Sequence, residues 1–304
     1  MAGRGRAVVA VVVAALLWGT TGTAASFLPP SVGPLATGAA TMGIGGLLLF
    51  ATAPRASLAV RSLPGARRWV LIGAIGVGVY PLAFYSGMQL AGVAIGNVVA
   101  LGTGPIVAAV LERMVDRHPL SPRWGIATVA AIGGMSALVL GRPAGEGGDA
   151  VLPGVLLAVL AGVAYGVYTY ASGRVIAAGA ESRGAVGAIF GGGAVLLLPV
   201  LLVTGAPLLS TPQSIGIAVY LALGPMFLAY LLIGAALRAL RSSTVTTVAL
   251  LEPVVAAVLA VTVVGERLEP LAWLGVLAIL GGIVVLVTAR PPVRGTRAPL
   301  DFEP

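Results

Sequence analysis

Ten apolar stretches follow one another along the 304-residue chain, separated by short joints rich in glycine, proline and arginine. A helix needs about 20 residues, at 1.5 Å each, to cross a bilayer. The joints are too short to hold a soluble domain, so the pattern predicts an all-α membrane protein. The predicted transmembrane helices cover residues 7–25, 32–53, 69–89, 94–111, 123–141, 151–171, 184–204, 214–235, 244–264 and 271–289.

The composition agrees with this pattern, since 58% of the residues are apolar and 9% are charged. A soluble protein carries about 25% charged residues. The chain has no cysteine, which excludes disulfides and thiolate metal sites, and we expect neither a metal nor a cofactor. The net charge of +8 comes from arginines scattered over short joints. We therefore expect contact with the lipid bilayer and none with nucleic acid.

The arginines predict the orientation of the helices. With a cytoplasmic N-terminus, all of the 18 arginines except Arg142 and Arg267 lie on the cytoplasmic side. Cytoplasmic loops of membrane proteins carry an excess of basic residues, and a missed or spurious span would move every later arginine to the other side. The sequence therefore predicts a multi-pass protein of the cell (cytoplasmic) membrane with cytoplasmic N- and C-termini.

The second half of the chain repeats the first. Residues 105–111 match residues 253–259 at an offset of 148, and the same offset pairs Gly133-Gly134 with Gly281-Gly282. Farther upstream, Trp18-Gly19 aligns with Tyr165-Gly166 at an offset of 147.

Each half holds five predicted helices, and because five is odd the second half enters the membrane inverted. We predict one five-helix repeat at residues 1–144 and a second, inverted repeat at residues 145–304. Inverted repeats are typical of secondary transporters, whose substrate site lies at the midplane between the halves.

Glu252 is the acidic residue inside an apolar run, residues 244–264, whereas the other nine acidic residues fall in predicted loops or tails. A lone acid in a membrane span costs roughly 2.5–3.5 kcal/mol unless it faces a partner or a water-filled cavity. Glu252 is therefore the leading candidate for a functional residue. It would bind a cationic group, carry a proton, or join helices through a buried hydrogen bond.

Aromatic and amide side chains inside the predicted helices are further candidates for binding substrate. Aromatic residues at the membrane interfaces are common, but those deeper in the helices would line a cavity that holds a hydrophobic or cationic substrate. Asn97 would donate a hydrogen bond to substrate or to a neighbouring helix. The aromatic candidates are Trp18, Tyr80, Tyr85, Tyr165, Tyr168 and Tyr230.

Four prolines inside the predicted helices are candidates for bends. Each removes a backbone hydrogen bond and frees a carbonyl group, and the alternative role is a packing kink. Pro105 and Pro253 occupy equivalent positions of the two repeats, and Pro81 and Pro225 are a second, weaker pair.

Over nearly its whole length, the chain with its two sets of five predicted helices resembles the EamA-type branch of the drug/metabolite transporter superfamily. The similarity is carried by Leu251-Glu252-Pro253, by Gly265-Glu266-Arg267-Leu268, and by Gly275 with Gly281-Gly282, together with Trp18-Gly19-Thr20 in the first helix. The first half departs from the pattern, because Gly104 and His118-Pro119 stand where the second has Glu252 and Glu266-Arg267. The resemblance implies ten helices and a cavity lined by helices 1, 3, 4, 6, 8 and 9. It also implies export of amino acids, other metabolites or drugs.

The function predicted from these features is secondary transport of a small-molecule substrate by alternating access, with proton coupling through Glu252. The alternatives are a membrane-embedded sensor or scaffold, and a uniporter or channel without ion coupling. An enzyme is not expected, because the predicted helices offer one acid and neither histidine nor cysteine for catalysis. A second copy of the chain, in a homodimer, is a further expected partner.

Overall fold

Helices are the only regular secondary structure in the computed structural model, which describes residues 2–91, 93–117, 119–140, 150–264 and 269–288. The described residues of the first half form five long helices: α1 (Ala2–Gly19), α2 (Pro34–Thr52), α3 (Ala66–Ala91), α4 (Val93–Val115) and α5 (Pro122–Leu140). Two short helices, Thr21–Ala25 and Pro54–Ala59, follow α1 and α2.

The described part of the second half has five corresponding helices, two of which are irregular. They are α6 (Val151–Ala177), α7 (Ser182–Thr204), α8 (Pro212–Ala236), α9 (Ser242–Val263) and α10 (Pro270–Val287). Within α8 the segment Ala222–Leu228 is a π-helix. Within α9 the segments Ser242–Ala249 and Glu252–Leu259 are separate helices. Each predicted helix corresponds to one of these ten.

The distribution of large and small side chains identifies the lipid-facing surface. Leu202 and Val203 of α7 are 83% and 84% exposed, and many other leucines and valines are exposed along the helices. Small residues such as Ala39, Ala158 and Ala194 are fully buried between helices. This arrangement is typical of membrane bundles, in which small residues allow close helix packing and apolar side chains face lipid.

The lengths of the helices agree with a membrane protein. Eight described helices are long and apolar enough to span a membrane, and α10 is a shorter apolar helix. The remaining helix, α5, packs along α10. The prediction of an all-α membrane fold in two five-helix repeats is confirmed.

The two repeats pack against each other with two-fold pseudosymmetry. The contact of α3 with α6 is matched by that of α8 with α1, and the contact of α4 with α6 by that of α9 with α1. The equivalent helices α2 and α7, α4 and α9, and α5 and α10 pack directly on each other. A two-fold relation between repeats with an odd number of spans places the axis in the membrane plane, which gives the inverted topology.

Individual contacts reproduce the same pseudosymmetry. A methyl group on Gly19 would lie 2.5 Å from Cβ of Val255 and 3.0 Å from the carbonyl oxygen of Glu252. In the other repeat, a methyl group on Gly166 would lie 2.7 Å from Cβ of Val107 and 2.8 Å from the carbonyl oxygen of Gly104. The two crossings, of α1 with α9 and of α6 with α4, therefore use residues that the sequence alignment pairs.

Some sequence features lie outside the described residues. These are the boundary between the repeats at 144 and 145, the motif at residues 265–268, His118, Arg142 and the arginines after residue 288.

Candidate functional site

A cavity of about 70 Å³ lies between the two repeats. About 10–15 Å³ suffices for one water molecule, so this cavity has room for several waters or a small group. Its wall combines six aromatic side chains with one carboxylate. These residues are Trp18 of α1; Tyr80, Phe84 and Tyr85 of α3; Tyr165 of α6; Tyr230 of α8; and Glu252 of α9.

The rest of the cavity wall is apolar or weakly polar. Helix α2 contributes to the wall in addition to the six helices that the resemblance implied. The remaining wall residues are Thr21, Thr41, Met42, Pro81, Leu101, Pro225 and Met226.

Glu252 lies at the point where α9 is interrupted. The first segment of α9 ends at Ala249, and Glu252 is the first residue of the next segment. Its side chain is half-buried and lines the cavity. Within the described part of the chain, its carboxylate forms neither a hydrogen bond nor an ion pair.

The sequence explains the interruption of α9. Pro253 has no N–H group and cannot donate to the carbonyl of Ala249, four residues earlier. The backbone before it tightens, since the N–H of Leu250 donates to the carbonyl of Thr247 at 3.2 Å and that of Leu251 to Val248 at 3.1 Å. The tightened turn ends the first segment of α9 and begins the second at Glu252, beside the cavity.

The polar tips of two cavity aromatics are held by the protein. The indole N–H of Trp18 donates to the carbonyl oxygen of Pro225 at 2.7 Å. The hydroxyl of Tyr230 shares a hydrogen bond of 2.5 Å with the hydroxyl of Tyr168. The rings of Trp18 and Tyr230 pack against each other with centroids 5.2 Å apart.

The other aromatics form a cluster on α3 and α6. Phe84 stacks on Tyr80 with centroids 5.3 Å apart and meets Tyr85 edge-on at 5.4 Å. Tyr165 lies 6.0 Å from Tyr80. The hydroxyls of Tyr80, Tyr85 and Tyr165 form no hydrogen bond with the described residues and are not closed off from the cavity.

Five of the six aromatic candidates from the sequence line the cavity together with Glu252 and with both prolines of the weaker pair. Tyr168 stands behind the wall, buried and bonded to Tyr230. Asn97 is not in the cavity wall, and its Oδ1 is buried without a hydrogen-bond partner among the described residues. The roles of these residues in binding stay predictions.

The four prolines affect their helices differently. Pro253 accompanies the interruption of α9, and Pro225 lies in the π-helical segment of α8. Pro81 and Pro105 lie inside α3 and α4, which run without interruption. In the first repeat, the described span Gly3–Ala25 is interrupted at Thr20, between the wall residues Trp18 and Thr21, so both repeats bring an irregular helix to the cavity.

Several wall residues were not predicted from the sequence. Phe84, Met42, Met226 and Leu101 are apolar, and an apolar residue in a membrane helix gives no sign of whether it faces lipid, a neighbouring helix or a cavity. The available signal was the position of Phe84 one helical turn after Tyr80 and of Met226 next to Pro225, whereas Met42 and Leu101 had no such signal.

The expectation that every acid except Glu252 lies in a loop or tail was wrong. Helix α4 continues to Val115, four residues beyond its predicted end, and encloses Glu112, which is 4% exposed. The Glu112 carboxylate accepts hydrogen bonds from the backbone N–H of Ser243 at 3.0 Å and from its hydroxyl at 2.6 Å. Glu112 therefore joins α4 to the start of α9, where a helix N-terminus favours negative charge.

A second polar cluster lies at the end of the bundle where α1 begins, called the terminal end here. Asp116, which follows α4, pairs with Arg174 of α6 and accepts a hydrogen bond of 2.8 Å from Tyr170. The Arg174 guanidinium lies 5.8 Å from the ring centre of Trp69 on α3, and Trp69 meets Tyr170 edge-on at 5.3 Å. This cluster joins the two repeats between the cavity and the terminal end.

Comparison with known proteins identifies a family over nearly the whole chain. The EamA-like transporter family matches residues 5–140 and again residues 152–288. An uncharacterized transporter of Bacillus subtilis strain 168, YwfM, is 33% identical over 280 residues, which cover 92% of this chain and 93% of that protein. An uncharacterized transporter of Clostridium kluyveri is 30% identical over 144 residues, or 46% of each chain.

The fold has a counterpart among solved structures. A crystal structure described only as that of a protein superposes with a TM-score of 0.74 at 22% identity, covering 92% of this chain and 95% of that chain. At this level of identity the likeness concerns the fold.

Proposed function

Since the chain belongs to the EamA-like transporter family and is a membrane transporter, we propose that it exports a small metabolite or drug by alternating access. In this proposal it is a secondary transporter of the cytoplasmic membrane with both termini in the cytoplasm, as the arginine distribution favours. Amino acids and related compounds are the expected metabolites. The cavity between the repeats is its substrate site.

The observation that carries this proposal is the cavity with an unpaired carboxylate at the junction of two pseudosymmetric repeats. In transporters built from inverted repeats, the site lies at the repeat interface and is formed by interrupted helices. Here the second segment of α9 begins at Glu252, directly after the interruption, and the irregular part of α8 contains Pro225 and Met226 of the cavity wall. Rocking one repeat against the other would expose this site to each side in turn.

Glu252 is the proposed proton-coupling group. A carboxyl group in a low-dielectric cavity favours its neutral form, and water or a cationic substrate favours the charged form. Alternation between these environments would load and release a proton. The other titratable side chains of the cavity wall are Tyr80, Tyr85, Tyr165 and Tyr230.

The test begins with cells that contain or lack the protein, in which the compounds released into the medium are compared. A compound released only with the protein is then loaded into proteoliposomes, where external substrate is expected to accelerate efflux of internal labelled substrate. Such counterflow is expected of a carrier and not of a channel. Export is expected to depend on an inward proton gradient in the wild type, and the Glu252→Gln variant is expected to lose that dependence.

Two outcomes would contradict the proposal in different ways. Efflux without counterflow would make the protein a channel. If the Glu252→Gln variant shows counterflow with the same pH dependence as the wild type, the protein is a carrier but Glu252 does not couple transport to protons. The Glu269→Gln variant, which removes an exposed carboxylate next to α10, serves as the control.

A further inference from the structure

The charges of the cavity wall differ from those of a site for an anion or a zwitterion. Glu252 is the charged residue among the described residues of the wall, and none of these residues is basic. Burying a carboxylate without a partner is costly. A substrate with a negative group would add a second negative charge beside the first, whereas a cation would pair with it.

The interrupted helix offers no alternative site for an anion. Helix N-termini bind anions through free backbone N–H groups. At the second segment of α9, residue 253 is a proline and has no N–H group. The N–H groups of Val254 and Val255 both donate to the carbonyl of Leu251, at 3.1 Å each. The group at this helix start that faces the cavity is the Glu252 carboxylate itself.

The aromatic wall offers ring surface and neutral hydroxyl groups, but no charged donor among the described residues. The indole N–H of Trp18 and the hydroxyl of Tyr230 are already bonded to Pro225 and Tyr168. Phe84 has no polar atom, and the free hydroxyls of Tyr80, Tyr85 and Tyr165 can each donate one hydrogen bond as well as accept. Because these donors are neutral, they do not offset the charge of an anion beside Glu252 as a basic side chain would. Aromatic faces attract cations through the ring quadrupole, and most strongly where water is excluded.

We propose that the cavity binds a small organic cation, an ammonium or quaternary ammonium group on a short apolar body. The charged nitrogen pairs with Glu252 and the aromatic rings surround it. This inference rests on the proposed function and narrows its substrate class, because it replaces zwitterionic amino acids by organic cations. The volume of about 70 Å³ limits the enclosed part of the ligand to a few heavy atoms in this conformation.

The test measures binding through the thermal unfolding of the purified protein, because a ligand that binds the folded state raises its unfolding temperature. The cationic probes are choline and butylammonium. Dimethylbutanol and butanol are their uncharged counterparts of similar shape, and betaine carries the choline cation together with a carboxylate. We expect at least one cation to stabilise the wild type, and the uncharged probes and betaine to have no effect at the same concentration.

Variants separate the contributions of charge and ring. Glu252→Gln is expected to weaken cation binding about tenfold or more, as for loss of a buried charge pair, while Glu269→Gln binds like the wild type. Tyr85→Phe keeps the ring and is expected to bind nearly normally. Tyr85→Leu removes the ring and is expected to weaken binding by about 2- to 30-fold. The comparison of Tyr85→Phe with Tyr85→Leu still tests the proposal if the Glu252→Gln variant does not fold.

The proposal is overturned if neither cation stabilises the protein, if an uncharged counterpart stabilises it equally, or if betaine binds more tightly than choline. Equal losses for Tyr85→Phe and Tyr85→Leu would contradict recognition by the ring. If the protein binds cations but shows no counterflow, the cation site is supported and the carrier mechanism is contradicted. If the protein shows counterflow of an anionic or neutral compound and binds no cation, the carrier mechanism is supported and the proposed cationic substrate class is contradicted.

Discussion

Single glycines determine how closely α5 and α10 approach. A methyl group on Gly134 would lie 2.5 Å from the carbonyl oxygen of Gly275, and one on Gly282 would lie 2.7 Å from that of Ala127. Their neighbours Gly133 and Gly281 have no atom within 4 Å of such a methyl group. Each glycine pair therefore has one member in the helix contact and one facing away.

The pair at the α5 contact gives a matched test of this packing. Gly134→Ala is expected to destabilise the protein by about 1–3 kcal/mol, because an added methyl group in a tight contact must displace its neighbours. Gly133→Ala is expected to be neutral or to stabilise by up to about 1 kcal/mol, since alanine is the better helix former. Relative free energies of unfolding, measured by titration with a denaturing detergent, compare the two. Equal effects would contradict the assigned contact.

At the residue scale, the sequence predicted best where a residue is costly in its setting. Glu252 stood out because an acid in an apolar run needs a partner or water, and the structure places it in the cavity wall. The glycine pairs stand out in the sequence repeat, but which member of a pair faces the neighbouring helix depends on helix rotation. Glu112 was missed because hydropathy ended α4 before it, and Phe84 was missed because it resembles any lipid-facing residue.

At the scale of elements, the start of α9 is held by an acid from another helix. The first residues of α9 have no side-chain cap of their own, although their serines and threonines are typical of a capped start. Glu112 of α4 supplies the acceptor for Ser243. Because α4 and α9 are equivalent helices of the two repeats, this contact also joins the repeats.

Removal of this acceptor is expected to destabilise the protein. Glu112→Ala leaves the buried N–H and hydroxyl of Ser243 without their partner, at a cost of about 1–3 kcal/mol. Glu112→Gln is expected to cost less, since its amide oxygen still accepts one hydrogen bond. Glu181→Ala removes an exposed acid before α7 that forms no capping bond, and is the control. Thermal unfolding would contradict the assignment if Glu112→Ala and Glu181→Ala were equally stable.

The ten helices could be predicted from hydropathy because each must cross the same thickness of lipid. Hydropathy could not predict the interruption of α9, since both of its segments are apolar. Proline is an incomplete signal for such breaks: Pro253 accompanies one, while Pro105 lies in an uninterrupted helix. The packing of the neighbouring helices determines the result at each position.

At the scale of the whole molecule, the two ends of the bundle differ. The ion pair of Asp116 with Arg174 and the Glu112 contact join the repeats toward the terminal end. Toward the opposite end, the hydroxyls of Thr20 and Tyr220 share a hydrogen bond of 2.6 Å that joins the end of α1 to α8, beside a surface depression of about 450 Å³. The sequence repeat predicted the pseudosymmetry of the fold. It could not predict the contacts that join the repeats at each end, because equivalent positions of the two repeats carry different residues there.

The charged contacts of the terminal end lead to a test of cavity access from each side of the membrane. The chain has no cysteine, so Leu101→Cys places a single thiol in the cavity wall. A thiol reagent that does not cross membranes is expected to label it faster from the side opposite the terminal end.

Asp116→Asn removes the charge that pairs with Arg174. Loss of about 1 kcal/mol from the closed state would raise labelling from the terminal side about fivefold. Glu181→Gln, an exposed acid at the same end, should leave both rates unchanged. If Asp116→Asn also leaves them unchanged, the ion pair does not hold that end closed.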